Sequence, residues 1–365
     1  MTILTSTKCL EVKTDKSGEL TPEGVAAIGE GGEILRHNGL VAFPTETVYG
    51  LGANALSPEA VEGIFRAKGR PGDNPLIVHI AHWSMLEPLV KAIPPEARQL
   101  AEKFWPGPLT LVLPSSSQVP QVVTAGLPTV AVRMPDHPVA LALIKEAGVP
   151  VAAPSANTSG KPSPTAAVHV LEDLGGKVPL VLDGGPVGLG VESTVLDLTV
   201  SPPMVLRPGS ITLEMLRDVL GQVDLDPAMA GMDFPHSHKQ EAPAPKAPGM
   251  KYAHYSPEAE VVLVDGPVEE MTAAVLDLAA ARQRQGLKVG IMASRETVAS
   301  YQGFFTLVIG SRQDLTTVAV NLYSLLRDFD RHGVQVVIAE GFSWQGLGLA
   351  IMNRLTKAAD KIIKV

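Results

Sequence analysis

Between residues 21 and 220, short apolar runs alternate with longer stretches in which apolar residues recur every three or four positions. LVAF, PLIVHI, LTLVLP, TVAVRMP, VPVAAPS, VPLVLDGG, STVLDLT and MVLRPG read as buried strands bounded by turn residues. Thr21 and Pro22 suit the N-cap and first position of a helix closed by Gly39, and Ser57 and Pro58 open a second that ends near Lys68 and Gly69. This alternation predicts an α/β domain over residues 21–220, a twisted mixed sheet covered by helices. From 221 to 258 the chain turns rich in Pro and Ala and loses its periodicity, which reads as a linker. Over 259–365, EVVLV, KVGIMA, FTLVIG and VQVVIAEG alternate with amphipathic stretches such as DLTTVAVNLYSLLRDFD, the pattern of a smaller parallel-sheet domain of Rossmann type. No repeat relates the two halves.

Length agrees with this division, since 365 residues exceed one ordinary core and 45% apolar content suffices to fold two. The 34 glycines and 31 prolines follow no fixed period, so they point to loop-built sites and exclude collagen. Cys9 is the one cysteine and cannot form an internal disulfide. With no charged segment leading into an apolar signal region, a reducing, cytoplasmic setting is expected. No apolar run reaches the ~20 residues of a membrane helix. A net charge of -8 argues against a protein that coats nucleic acid, yet permits a local basic pocket for an anionic small molecule.

Polar residues gather where the predicted strands end. FPTETVYGLG sets Thr45, Glu46 and Thr47 after one strand, as either a capped turn or part of a site. Arg133 sits on an otherwise apolar strand, where a buried cation needs an ion-pair partner or an anionic ligand. RAKGRPGDNPLIVHI places Lys68 and Arg70 on a Pro/Gly-shaped loop at the lip of a strand that runs to His79. VAAPSANTSGKPSP opens into a loop rich in hydroxyls, able to cradle phosphate oxygens or simply to turn the chain. Walker, dinucleotide-fingerprint, zinc-protease and serine-hydrolase motifs are all missing.

FPTETVYGLG, AKGRPGDNPLIVH, FWPGPLT, VAVRMP, APSANTSG and GVESTVLD followed by LRPG occur in this order, and together they resemble the YrdC-like threonylcarbamoyl-AMP synthases. PGMKYAHYSP and the closing GLGLAIMNRLTKAA resemble the longer, two-domain branch of that family. The resemblance implies a YrdC-like catalytic domain and a nucleotidyltransferase that joins L-threonine, bicarbonate and ATP into L-threonylcarbamoyladenylate and pyrophosphate. The product would supply a downstream tRNA threonylcarbamoyl-transfer machinery. By the family pattern Arg70, Asn74, Thr129, Ser155, Asn157, Ser163 and Arg207 would contact ATP, with Lys68 and Arg70 countering charge during transfer. Thr47, His79, Arg133, Ser193 and the Ala153 backbone would hold threonine, Arg133 as a two-pronged fork on its carboxylate. Magnesium would come with the ATP phosphates, with few or no protein ligands. Tyr252, His254 and Tyr255 read as a lid over the nucleotide. The competing reading is an RNA-binding YrdC-like module without its own catalysis, which the acidic balance disfavours.

Overall fold

The computed structural model describes residues 6–15, 19–230 and 255–365. In chain order the first sheet takes β1 (Lys8–Glu11), β2 (Val41–Pro44), β3 (Tyr49–Asn54), β4 (Ile77–His79), β5 (Leu109–Pro114) and β6 (Thr129–Arg133). It continues with β7 (Val151–Ala152), β8 (Leu180–Asp183), β9 (Thr194–Asp197), β10 (Met204–Arg207) and β11 (Asp224–Leu225). Their spatial order is β1-β8-β2-β3-β7-β4-β6-β5-β9-β10-β11, with parallel and antiparallel pairs mixed. The second sheet is parallel throughout: β12 (Glu260–Asp265), β13 (Val289–Ser294), β14 (Phe305–Gly310), β15 (Val336–Glu340) and β16 (Lys361–Lys364), ordered β14-β13-β15-β12-β16.

Local chemistry explains the elements nearest the site. Thr21 and Ser57 cap their helices through the Gly24 and Ala60 amides, each followed by a proline whose missing N–H would have been unpaired in any case. Helix Pro58–Lys68 stops because Gly69 takes the left-handed conformation at φ 62°, which turns the chain so that Arg70 follows Lys68 at the sheet's rim.

β3 escapes the apolar-run criterion because Gly50 and Gly52 interrupt it. A Cβ on Gly52 would lie 2.7 Å from the Phe43 ring and 2.8 Å from Val151, so close strand packing demands glycine there. β1 was likewise hidden before residue 21: KCLE is largely exposed and owes its strand state to parallel pairing with β8.

The two domains share a core. Val48 and Val191 of the first pack in one cluster with Tyr255, Leu322, Tyr323 and Ile351. Gly190, at φ 76°, lies against the backbone of Ala319 and Val320 in helix Leu315–Arg331.

Candidate active site

A cleft opens where strand ends and loops of the large sheet converge, and Tyr255 closes one side of it. β4 and β6 run parallel with His79 opposite Arg133, so register alone brings ring and guanidinium to the same end. Arg133 is 3% exposed and engaged on each side: NH2 lies 2.6 Å from a Glu46 carboxylate oxygen, NH1 donates to Thr47 Oγ1 at 3.0 Å, and Nε donates to the Gly107 carbonyl at 3.3 Å. Of the two explanations open for a buried cation, the ion pair is therefore present, and both Arg133 and its partner Thr47 line the cleft. Burial, reinforced by the Arg133 charge, pushes the His79 pKa down to about 3, so the ring in the cleft is neutral.

The serine loop is assembled from behind. Lys68 donates to the carbonyls of Ser155 and Asn157, the latter at 2.6 Å, and to Asn157 Oδ1 at 3.4 Å. Ser155 Oγ also donates to Asn157 Oδ1, and Asn157 Nδ2 donates to the Thr158 and Lys161 carbonyls at 2.9 and 2.8 Å. Burial, then the Arg70 charge, drives the Lys68 pKa well below that of an ordinary lysine. Lys68 and the Ser155–Asn157 loop are thus a physical unit, with the lysine organising the loop and Arg70 on the cleft wall.

On the opposite wall Arg207 ends β10 just past a register shift, and donates to the Ser193 carbonyl at 3.0 Å and to Ser193 Oγ at 3.1 Å. Ser193 Oγ also meets Thr110 Oγ1 at 2.8 Å.

The cleft brings together Thr47, Arg70, His79, Arg133, Ala153, Ser155, Asn157, Ser163, Ser193, Arg207 and Tyr255 from the sequence-selected set. Lys68, Asn74 and Thr129 stand outside its wall: Asn74 is buried with its carbonyl accepting from Arg70 at 3.1 Å, and Thr129 pairs with Pro114 at the far end of β6. Tyr252 and His254 lie outside the described residues. Tyr255 is 6% exposed, its ring centroid 5.1 Å from that of Tyr323 and 6.0 Å from the Arg354 guanidinium, so it belongs to the interdomain core as well as to the cleft.

Sequence reasoning missed Glu192 as a site residue, although it lies inside GVESTVLD, and missed the second domain's contribution. Ser163 donates to Glu192 Oε1 at 2.6 Å, while Tyr323 and Arg354 both donate to Oε2 at 2.9 Å. Burial by itself would raise the Glu192 carboxyl, but the Arg354 and Arg207 charges and the Ser163 hydrogen bond outweigh it and hold the pKa at about 2. Arg327 likewise crosses over, gripping Asp173 through NH1 and NH2 at 3.1 and 2.9 Å and the Pro162 carbonyl at 2.6 Å. The only hint in the sequence was an arginine amid the apolar residues of GLGLAIMNRLTKAA.

Three arginines, a set of hydroxyls and a neutral histidine converging at strand ends define an α/β site for small anionic substrates. Comparison with known proteins makes this specific. A Sua5/YciO/YrdC profile described as "Telomere recombination" matches residues 33–209, and one described as "Threonylcarbamoyl-AMP synthase, C-terminal domain" matches 211–360. A threonylcarbamoyl-AMP synthase of Pyrococcus abyssi is 53% identical, covering 91% of this chain and 94% of the relative. One of Bacillus subtilis is 50% identical, covering 91% and 92%. The crystal structure of P. abyssi Sua5 complexed with L-threonine superposes with a TM-score of 0.90 at 49% identity, covering 98% of this chain and all of that one. The chain belongs to the two-domain threonylcarbamoyl-AMP synthase family, enzymes of the nucleotidyltransferase type.

Proposed function

We propose that the cleft joins L-threonine, bicarbonate or CO2 and ATP into L-threonylcarbamoyladenylate, releasing pyrophosphate, and that the product serves modification of the adenosine beside the anticodon in certain tRNAs. The observation that carries the reading is the convergence of Arg70, Arg133 and Arg207 with neutral His79 and the Ser155–Asn157 loop in one cleft.

Threonine's amine captures carbon dioxide as a carbamate, and a carbamate oxygen then attacks the α-phosphorus in line with departing pyrophosphate. No protein nucleophile is needed, so catalysis rests on positioning and charge stabilisation. Arg133 and Thr47 hold the threonine carboxylate. Nε is given to the Gly107 carbonyl, so the fork expected from the sequence would be formed by the two terminal nitrogens, NH2 also lying beside Glu46. Neutral His79 and Ser193 line the same end without adding charge that would compete for the carboxylate. Arg70, Ser155, Asn157, Ser163 and Arg207 receive the nucleotide, and Lys68 acts through the loop it organises. Asn74 supports Arg70 through its carbonyl. Tyr255, on the cleft wall, shields that side of the product from water.

Magnesium arrives with ATP. Among the described residues no group of three or more His, Cys, Asp or Glu forms a metal site, and Glu192, the one carboxylate on the cleft wall, has both oxygens engaged. These residues do not fit a resident ion, and no step here runs through it. No helix among the described residues is long and apolar enough to cross a membrane.

The test is pyrophosphate release from ATP by the purified full chain, with threonine and bicarbonate omitted in turn. Release that needs both supports the reading, and an equal rate without either refutes it.

A further inference from the structure

Glu192 receives three side-chain hydrogen bonds, two of them from the second domain. Arg354, fully buried on helix Leu347–Ala358, binds Glu192 Oε2 through Nε, the Glu192 carbonyl through NH2 at 3.3 Å, and the Pro208 carbonyl through NH1 at 2.7 Å. One guanidinium therefore ties together the two loops that carry Ser193 and Arg207. The Tyr323 hydroxyl is kept protonated by burial and by the neighbouring Glu192 charge, so it acts as a donor.

This arrangement has a consequence at Ser163. A serine hydroxyl has one proton and two lone pairs. Glu192 stays ionised and can only accept, so the Ser163 proton points at Oε1 and only lone pairs face the cleft. Phosphate and carboxylate oxygens are acceptors, and a hydroxyl so oriented cannot bond to them. The donors on an adenine nucleotide are its ribose hydroxyls and its 6-amino group.

We propose that Arg354 and Tyr323 of the second domain are positioning residues for nucleotide recognition: by holding the Glu192 carboxylate they orient Ser163 as an acceptor, which selects a nucleoside donor rather than a phosphate oxygen. The second domain is then a working part of the specificity site. The inference rests on ATP being the nucleotide bound, and its test reads binding, not turnover.

Calorimetry on the full chain compares ATP with 2′-deoxy-ATP, 3′-deoxy-ATP, purine riboside triphosphate and tripolyphosphate. Wild type should bind one of the three nucleoside analogues about tenfold more weakly than ATP, the loss of one hydrogen bond to a fixed acceptor, and the analogue affected identifies the donor. Ser163→Ala should erase that preference and leave tripolyphosphate affinity unchanged. Arg354→Met strands a buried carboxylate and risks unfolding, so Arg354→Met is also paired with Glu192→Gln, which neutralises the site at constant volume. The paired variant, shown folded by circular dichroism, should lose the analogue preference because the Tyr323 donor takes the amide oxygen and leaves the amide N–H facing Ser163.

Wild type that discriminates against none of the three analogues, Ser163→Ala that weakens tripolyphosphate as much as ATP, or a folded paired variant with full preference would each overturn the proposal. Discrimination without threonine-dependent pyrophosphate release would instead fault the assigned reaction and leave this inference standing.

Discussion

Gly190→Ala tests how tightly the two domains are fitted together. Gly190 holds φ at 76°, and a Cβ there would stand 2.3 Å from both the Ala319 carbonyl oxygen and the Val320 Cα. These are backbone atoms of helix Leu315–Arg331, so no side-chain rotation relieves the overlap. The left-handed backbone costs an alanine about 1–2 kcal/mol. Restoring normal contact requires the helix to retreat by more than ~1 Å, which breaks the 2.9 Å bond from Tyr323 to Glu192. A hydrogen bond to a charged partner is worth about 1.5–3 kcal/mol, so the total is about 2.5–5 kcal/mol.

With an unfolding entropy of about 2.1 cal/mol/K per residue over 365 residues, each kcal/mol is worth about 1.3 °C, so melting should fall by at least about 3 °C by scanning calorimetry. Pyrophosphate release should fall with it, since Glu192 and Ser193 follow in the same loop. Gly188→Ala is the control, because nothing lies within 4 Å of its added Cβ and its φ is unexceptional. If Gly190→Ala melts within about 1 °C of wild type at full turnover, the claim that this interface fits backbone to backbone is wrong.

Arg133→Lys keeps a charge beside Glu46 but loses the planar donors to Thr47 and Gly107, and should weaken threonine by about 1–3 kcal/mol with ATP affinity nearly intact. Equal loss of both ligands, measured by calorimetry, would remove Arg133 from the threonine role. The pKa of His79 is lowered to about 3 and that of His169 to about 4, so as pH falls below the unfolded value of 6.5 the unfolded chain takes up protons first. Stability is therefore complete above pH 6.5 and declines toward pH 4 and 3, and His79→Gln should flatten that slope in melting curves taken across the window; an unchanged slope would exclude His79 as its source. Tyr255→Phe, which gives up the hydroxyl's hydrogen bond with Tyr323, should cost about 1 kcal/mol, while Tyr255→Ala, emptying the space against Tyr323, should destabilise by about 3 kcal/mol or more in chemical denaturation. Similar behaviour of the two variants would mean the ring does not anchor the interface.

Local order was legible without coordinates. The caps Thr21 and Ser57, the stop at Gly69 and most of the strands follow from preferences acting between near neighbours, and so do the polar residues left at element ends such as Arg70, His79 and Ser155. The family motifs within those runs pointed to the cleft for the same reason, because each motif is a loop joined to the end or the start of a strand. What stayed hidden depended on partners distant in sequence. β3 is a strand because Phe43 and Val151 press on Gly52, and β1 is one because β8 offers it an edge. Lys68 organises a loop that begins at Ser155, a task no spacing within its own helix implies. Glu192 and Arg354 stand 162 residues apart, and only the docking of one sheet's helices against the other's loops makes them a pair. Periodicity records which face of an element is buried. The buried charge that meets it is decided when two complete domains close on each other, since an ion is tolerated in a low-dielectric interior only where a counter-ion or hydrogen-bond partners meet it.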